Sequence, residues 1–327
     1  MDPLELLELC KRGAYEGAPQ DIVVPRLFSA GEYEDLWRRE SKQVRALLDE
    51  LLCGPRPDEG LELLLKSGCL EALFPEIREM RGLGEDPVSA LHKDVWSHTK
   101  QVVANTPADL ELRWGALMHD IGKARTRRVI ARKVTFHSHD IVGARMVDAL
   151  DARLGLFRDD TRLSVTVRML VLNHLRPAQY KKEWADSGVR RLLVDVGGMK
   201  NFDKLMALSR ADLTTKNPNK RARAQRNGDA LEAHVRVVFD ADSAPKLPKG
   251  TMGLIIEKGL CPVGPRLNVI RGWLEQMMKD GRLPTDKDAE FYATTGFENY
   301  LQEHAKKTDE IHSQMQAHLD NHCDKKR

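Results

Sequence analysis

The sequence predicts a mostly α-helical protein with one small β-hairpin. Three observations carry this. Apolar residues recur at three- and four-residue spacing along most of the 327 residues. Ser, Thr, Asp, Gly and Pro interrupt those runs where helix caps belong. Only RRVIARKVTFHS, Arg127 to Ser138, is short and β-branched, with a turn expected near Ala131-Arg132.

The elements follow in order. LELLELCKRG predicts a short helix stopped by Gly13. Ser29 is placed to cap a helix that runs to Gly54-Pro55. DEGLELLLKSGCLEALFPEI predicts two short helices split at Gly68, and the next helix starts near Asp94. ADLELRWGALMHD, DIVGARMVDALDARLG and DTRLSVTVRMLVLNHL continue the helical pattern around the hairpin. GVRRLLVDVGG and NFDKLMALSRADLTTK form a second helical block. NPNKRARAQRNGD is polar and basic and reads as a linker or exposed loop. A Gly/Pro-punctuated module with a helix follows, and the last thirty or so residues form one polar amphipathic helix.

Composition excludes some classes. At 41% hydrophobic and 31% charged, the chain has the make-up of a globular protein. The net charge of +3 is too small to argue for or against a polyanionic partner, so local clusters carry that question. Cys10, Cys53, Cys69, Cys261 and Cys323 form no CxxC pair, which disfavours thiolate metal sites and a disulfide framework. The acidic start MDPLELLELC lacks the features of a signal peptide, and no apolar run is long enough to span a bilayer. These features predict a cytoplasmic protein with no membrane partner.

The chemistry gathers in one region. Six of the eleven histidines lie between His92 and His174, each near a helix end or the hairpin. His98 is one turn into a helix, His119-Asp120 closes another, His137 and His139 follow the hairpin, and His174 ends a helix. Asp212 lies on a later helix in SRADL. Helices that present His and Asp at their ends can point them into one pocket. Imidazole nitrogen with carboxylate oxygen suits divalent ions of intermediate hardness. Chance alone supplies a single His-Asp dipeptide, but it does not supply DVWSHT, HDIGK, TFHSHD and SRADL in this order.

In this order, His98, His119-Asp120 and Asp212 resemble the H…HD…D ligand set of the HD-domain metal-dependent phosphohydrolases. The likeness extends through the helices from Glu40 to Ile77, then ALMHDIGKARTR, VTFHSHDIVGARM and SRADL. These resemble the neck and HD region of bacterial CCA-adding tRNA nucleotidyltransferases and related poly(A) polymerases. LPKGTMGLIIEKGLCPVGPRLNVIRGWLEQMMKDGRLP is similar to their tail module. The resemblance implies an N-terminal segment over 1–35, a helical neck over 36–90, an HD core over 91–216, a basic linker or helix over 217–243 and a helical tail over 244–327. It departs from the family at the catalytic head. Only about 35 residues precede the neck, and Asp240 and Asp242 in FDADS imitate a DxD pair without the Gly-Ser that should precede it. Met1 and the unmatched first residues point to a natural headless chain that adds no nucleotides by itself.

The resemblance also implies roles. His98, His119, Asp120 and Asp212 would hold one divalent ion. His139 and His174 would complete a second site bridged by Asp120, with His137 as the alternative to His139. The ion or ions would be Mn, Ni, Mg, Fe, Co or Zn. His119, Asp120 and Lys123 are the expected catalytic groups, with Lys123 on the phosphate. Arg125, Arg127, Arg128, Arg132 and Lys133 run without an interleaved acid and, with His137, are expected to meet a polyanionic substrate. The expected activity is metal-dependent hydrolysis of nucleotide or RNA-end phosphate esters, with 2′,3′-cyclic or 2′-phosphates favoured. Two alternatives stay open: an RNA- or tRNA-binding partner of a separate nucleotidyltransferase, and a hydrolase of a signalling nucleotide. The basic stretch Lys220–Arg226 could touch an RNA backbone. The sequence gives no oligomeric state.

Overall fold

The computed structural model describes residues 2–17, 28–81, 94–130 and 133–305. Helices dominate it, with one two-stranded antiparallel sheet. The chain divides into two compact units, Met1–Val238 and Phe239–Arg327. The Ala131-Arg132 turn, His92, Cys323 and most of the expected C-terminal helix lie outside the described residues.

The first unit opens with α1 (Pro3–Glu16), α2 (Ala30–Cys53), α3 (Pro57–Lys66), α4 (Cys69–Leu73) and α5 (Pro75–Arg78). Asp2 caps α1 and Ser29 caps α2, each in a reciprocal capping box with the acid three residues on. Gly68, at φ 82°, breaks α3 from α4 as the sequence predicts. Gly13 does not stop α1, which continues to Glu16. A Cβ on Gly13 would collide with Leu63 Cδ1, so this glycine allows α1 and α3 to pack closely. A close approach and a helix stop both favour glycine, and sequence pattern cannot separate them. Glu40 leaves helical geometry and kinks α2 (φ −133°, ψ 32°).

The site-bearing part follows as α6 (Val95–Asn105), α7 (Leu110–Met118), α8 (Lys123–Thr126), β1 (Arg128–Ile130), β2 (Lys133–Thr135), α9 (His139–Leu154) and α10 (Thr161–Asn173). Next come α11 (Arg176–Gln179), α12 (Asp186–Val196), α13 (Met199–Ala211) and α14 (Pro218–Ser243). The hairpin pairs Val129 with Val134. Helix α10 packs against α7 and α9, and α6 and α13 pack against α7. One apolar core runs through this unit and includes Trp114, whose ring meets Phe157 edge-on and whose Nε1 donates to Asp49 Oδ1 at 2.7 Å. Trp96 is also buried.

The basic stretch NKRARAQR corrects the linker-or-loop reading, because it is the first half of α14. Asn217 Oδ1 accepts from the amides of Asn219 and Lys220, Pro218 takes the first helical position, and Lys, Arg, Ala and Gln are strong helix formers. Only Leu231, Val235 and Val238 of α14 are buried. The early turns therefore lack the apolar stripe by which a helix is read.

The second unit contains α15 (Thr251–Glu257), α16 (Pro265–Lys279) and a helical segment over 289–305 with a π turn at Tyr292–Gly296. Its own core includes Ile255, Ile270, Leu274, Tyr292 and Phe297. No helix among the described residues is long and apolar enough to cross a membrane.

Candidate metal centre

Six side chains from five helix ends converge in the first unit. His98 stands in the first turn of α6, whose cap Asp94 accepts from the Ser97 amide at 2.8 Å. His119 ends α7 and Asp120 follows it. His139 begins α9, His174 ends α10 and Asp212 ends α13. Helix ends leave backbone groups without intrahelical partners, and the site uses them. His119 Nδ1 donates to Ala116 O at 2.7 Å, and His174 Nδ1 donates to Val171 O at 2.7 Å. His139 Nδ1 donates to Phe136 O at 2.8 Å. A carbonyl can only accept, so these bonds fix the proton on Nδ1 and turn three Nε2 atoms inward. His98 Nδ1 is held by Thr214 Oγ1 at 3.0 Å.

The inward atoms form two groups. His98, His119 and Asp212 make one, and Asp120, His139 and His174 the other, with ligand atoms within 4.8 Å of one another in each. Asp120, a member of the second group, also faces the first. Its Oδ2 lies 3.2 Å from His119 Nε2 and 3.5 Å from His98 Nε2. Its Oδ1 lies 3.3 Å from His139 Nε2 and 3.9 Å from His174 Nε2. Asp212 Oδ1 stands 2.9 Å from His98 Nε2 and 3.8 Å from His119 Nε2. Asp120, His119, His139 and His174 are buried, while Asp212 is 34% exposed and leaves the first group open on its side.

The donor set fits divalent ions. His119 Nε2 is buried and its geometry gives it no well-formed hydrogen bond, Asp120 Oδ2 being the near acceptor at 3.2 Å, although its ring is anchored through Nδ1. A buried polar atom without a partner is costly, and a ligated cation removes that cost. Burial works against the ionised form of Asp120, but His119, His139 and Lys123 hold its pKa well below the usual carboxylate range. Asp212 is likewise lowered: the His98 bond and the charge of His119 outweigh burial. Burial pushes His119 down, but Asp120 and Asp212 pull it up to about 8. Burial and the charge of His119 push His174 down to about 4. Two ionised carboxylates among four imidazoles make a cavity of mixed hardness suited to one or two first-row ions or Mg.

Tertiary ties place these ends. Asn105 Nδ2 reaches Ala211 O at 3.4 Å, and Lys204 on α13 pairs with Asp109 at 2.6 Å and Glu111 at 2.8 Å beside α7. The turn after Asp120 packs against α9. A Cβ on Gly122 would collide with His139 O and come 2.7 Å from the Gly143 amide nitrogen. Ser138 is the one described non-glycine residue at positive φ, 58°, and it turns the chain so that His139 opens α9.

Among the other expected residues, the structure brings only Lys123 to this cluster, with Nζ 2.5 Å from Asp120 Oδ2. His137 is exposed, whereas His139 is buried beside Asp120 and His174. Arg125 pairs with Glu79 at 3.5 Å, an acid from outside the basic run. Arg127 is half-buried before β1, and Arg128 is exposed on it. Arg132 and the Lys133 side chain lie outside what the structure describes. Sequence reasoning missed Thr214, Gly122 and Ser138. For Ser138 no signal existed; for Gly122 the glycine directly after His-Asp-Ile was one.

Residues 94–244 match the HD domain family, so the chain carries an HD domain, a fold associated with metal-dependent hydrolases. The chain is 38% identical over 122 residues to an A-adding tRNA nucleotidyltransferase of Deinococcus radiodurans, covering 35% of this chain and 28% of that protein. It is 29% identical over 178 residues to the multifunctional CCA protein of Ectopseudomonas mendocina, covering 51% of this chain and 42% of that one. The multifunctional CCA protein of Pseudomonas syringae pv. syringae gives the same identity and coverage. The matched region therefore spans less than half of each of these relatives.

Proposed function

We propose that the chain is a divalent-metal-dependent phosphohydrolase that cleaves phosphate esters of nucleotides or RNA ends, with 2′,3′-cyclic phosphates and 2′-phosphates as the preferred class. The observation that carries this reading is the division of the Asp120 carboxylate between two three-residue ligand groups. A structural site encloses one ion with four ligands, whereas two adjacent ligand groups, one of them open at Asp212, suit a clamp on a phosphoryl oxygen.

His98, His119, Asp120 and Asp212 would hold one ion, with His139, His174 and Asp120 around a second. When bound, such ions lower the pKa of water and offset phosphoryl charge. The protein's own groups do the rest. The Nδ1 bonds keep the imidazole rings from turning, so the ligand atoms are set before substrate arrives. Lys123 is partly exposed at 21% and would place its ammonium on a non-bridging phosphoryl oxygen, where negative charge grows in the transition state. Arg127, Arg128 and exposed His137 would contact the rest of the substrate.

The test is hydrolysis of 2′,3′-cyclic AMP, 2′-AMP, 3′-AMP and p-nitrophenyl phosphate esters with Mg, Mn, Ni, Co and Zn, with Asp120→Ala as control. Metal-dependent turnover that disappears in the variant supports the reading. No turnover by folded, metal-loaded protein on any of these esters overturns the ester class. A second reading, an RNA-binding partner of a separate nucleotidyltransferase, is favoured by the names of the relatives and the partial match to them. On that reading Asp120→Ala leaves RNA affinity unchanged and no wild-type turnover is found.

A further inference from the structure

A cavity of about 430 Å³ lies in the first unit among α11, the end of α13 and the first half of α14. Two segments of its wall lie next in sequence to residues of the metal centre. His174 is three residues before Pro177 of its wall, and Leu213 of its wall follows Asp212 directly. No Asp or Glu lines it, while Lys181, Arg210, Lys220 and Arg223 do. Arg210 is neutralised by Glu232 at 2.6 Å and Asp229 at 3.3 Å. Lys181, Lys220 and Arg223 form no ion pair among the described residues. Pro177, Met206 and Leu213 supply apolar surface, and Gln179 and Gln225 supply amides.

The walls are fixed to each other. Asn227 Nδ2 on α14 donates to Tyr180 O at 3.0 Å and to Pro177 O at 3.4 Å. Tyr180 and His234 are joined at 3.1 Å, and His234 Nε2 reaches Asp186 Oδ1 at 3.0 Å. A pre-formed cavity of this size, with apolar walls, a few amides and three unpaired cations, has the chemistry of a nucleotide subsite. Apolar walls accept a base or ribose, amides meet base edges, and the cations meet phosphate.

We propose that this cavity takes the nucleotide that flanks the cleaved ester, so that the preferred substrate is the end of a single-stranded RNA and not a free mononucleotide. This rests on the phosphohydrolase reading for the word substrate, but the binding it describes does not require turnover. The face of α14 discriminates. Lys220 and Arg223 line the cavity, whereas Arg221 and Arg226 are exposed on the same helix and do not line it. A built subsite distinguishes the two pairs. Diffuse attraction of a polyanion to a basic helix does not.

The experiment compares the full-length chain with Lys220→Ala/Arg223→Ala and with Arg221→Ala/Arg226→Ala, each losing two positive charges. Binding of fluorescein-labelled tetraadenylate is read by anisotropy. The cavity pair should weaken it about tenfold and the outer pair less than about twofold. In parallel, kcat/KM is measured for 2′,3′-cyclic AMP and for tetraadenylate ending in a 2′,3′-cyclic phosphate. The wild type should prefer the oligonucleotide, and the cavity pair should erase that preference while leaving cyclic AMP unchanged. Equal losses in both pairs, no loss in either, or an equal loss on cyclic AMP overturns the proposal. Selective weakening of binding by the cavity pair, with no turnover of either substrate, supports the subsite and overturns the phosphohydrolase reading instead.

Discussion

The Nε2 atoms of His139 and His174 stand 3.1 Å apart, and each ring has already committed its Nδ1 proton to a backbone carbonyl. With Nδ1 as the donor in each ring, the two Nε2 atoms face each other lone pair to lone pair. A shared cation turns that repulsion into attraction, and the near Oδ1 of Asp120 supplies negative charge to hold it. The arrangement stores ligand geometry in the fold, at the ends of α9 and α10, before any ion arrives.

The two groups should be separable by metal counting. After loading with Mn and dialysis, the wild type is expected to retain two ions per chain by elemental analysis. His139→Ala or His174→Ala should retain one, and Asp120→Ala should retain neither, because its two carboxylate oxygens face the two groups. A His174→Ala protein that keeps both ions would sink the two-group assignment.

Thr214 should tune the first group without touching an ion. Its hydroxyl holds His98 Nδ1 at 3.0 Å, and loss of such outer partners typically costs about 10–100-fold in metal affinity. Thr214→Val is expected to show that loss by competition with a chelating dye, and Thr214→Ser should restore most of it. Equal affinity in Thr214→Val would mean that packing alone orients His98.

Much of this centre was legible in the sequence because helix ends are marked by local chemistry. Asp94 caps α6 and so places His98, and the His-Asp pair and Asp212 close apolar runs whose period is plain. What was not legible depends on contacts between segments far apart in sequence. The choice between His137 and His139 turns on one left-handed residue, Ser138, which carries no compositional mark. The role of Gly13 depends on Leu63, fifty residues away, and the pairing of Arg125 depends on Glu79. The first half of α14 was hidden because none of its side chains is fully buried.

Gly122 should be intolerant of any side chain. A Cβ there has no room against His139 O and the Gly143 amide, both backbone, so α9 must shift. Overpacking of this kind costs about 1–3 kcal/mol, and Gly122→Ala should show it as a lower urea midpoint together with weaker metal retention. Gly143→Ala is the comparison: its nearest neighbour is a side-chain methyl, Val171 Cγ1 at 3.1 Å, and its loss should be smaller. If the two variants match wild type in both measurements, the turn is not held by this contact.

Asp109 should make stability depend on acid pH. Burial raises its pKa, but the Lys204 bond and the Leu112 amide lower it more, so the folded value lies below the ordinary one. A lowered carboxylate contributes stability that is present above its unfolded pKa and is lost as pH falls through the folded one. In metal-free protein, the gap in urea midpoint between wild type and Asp109→Asn should therefore be open at pH 6 and narrow below about pH 4. The side chain is 42% exposed, so the gap will be modest and reduced by salt. A gap that widens on acidification contradicts the sign.

Lys123 offers the sharpest separation of binding from chemistry. Its Nζ lies 2.5 Å from Asp120 Oδ2, within reach both of that carboxylate and of the mouth of the site. If neutralising Asp120 were its whole role, Lys123→Ala would change metal affinity and leave turnover of the fully loaded protein intact. If the ammonium moves to the phosphoryl oxygen, the loaded variant should lose about 10²–10³-fold in kcat, the size seen when one donor to developing charge is removed. Metal content, measured in the same samples, should stay at the wild-type ratio. Lys123→Arg should recover part of kcat, because it restores charge but not the compact ammonium. A kcat that follows metal occupancy and nothing else would return Lys123 to a purely electrostatic role beside Asp120.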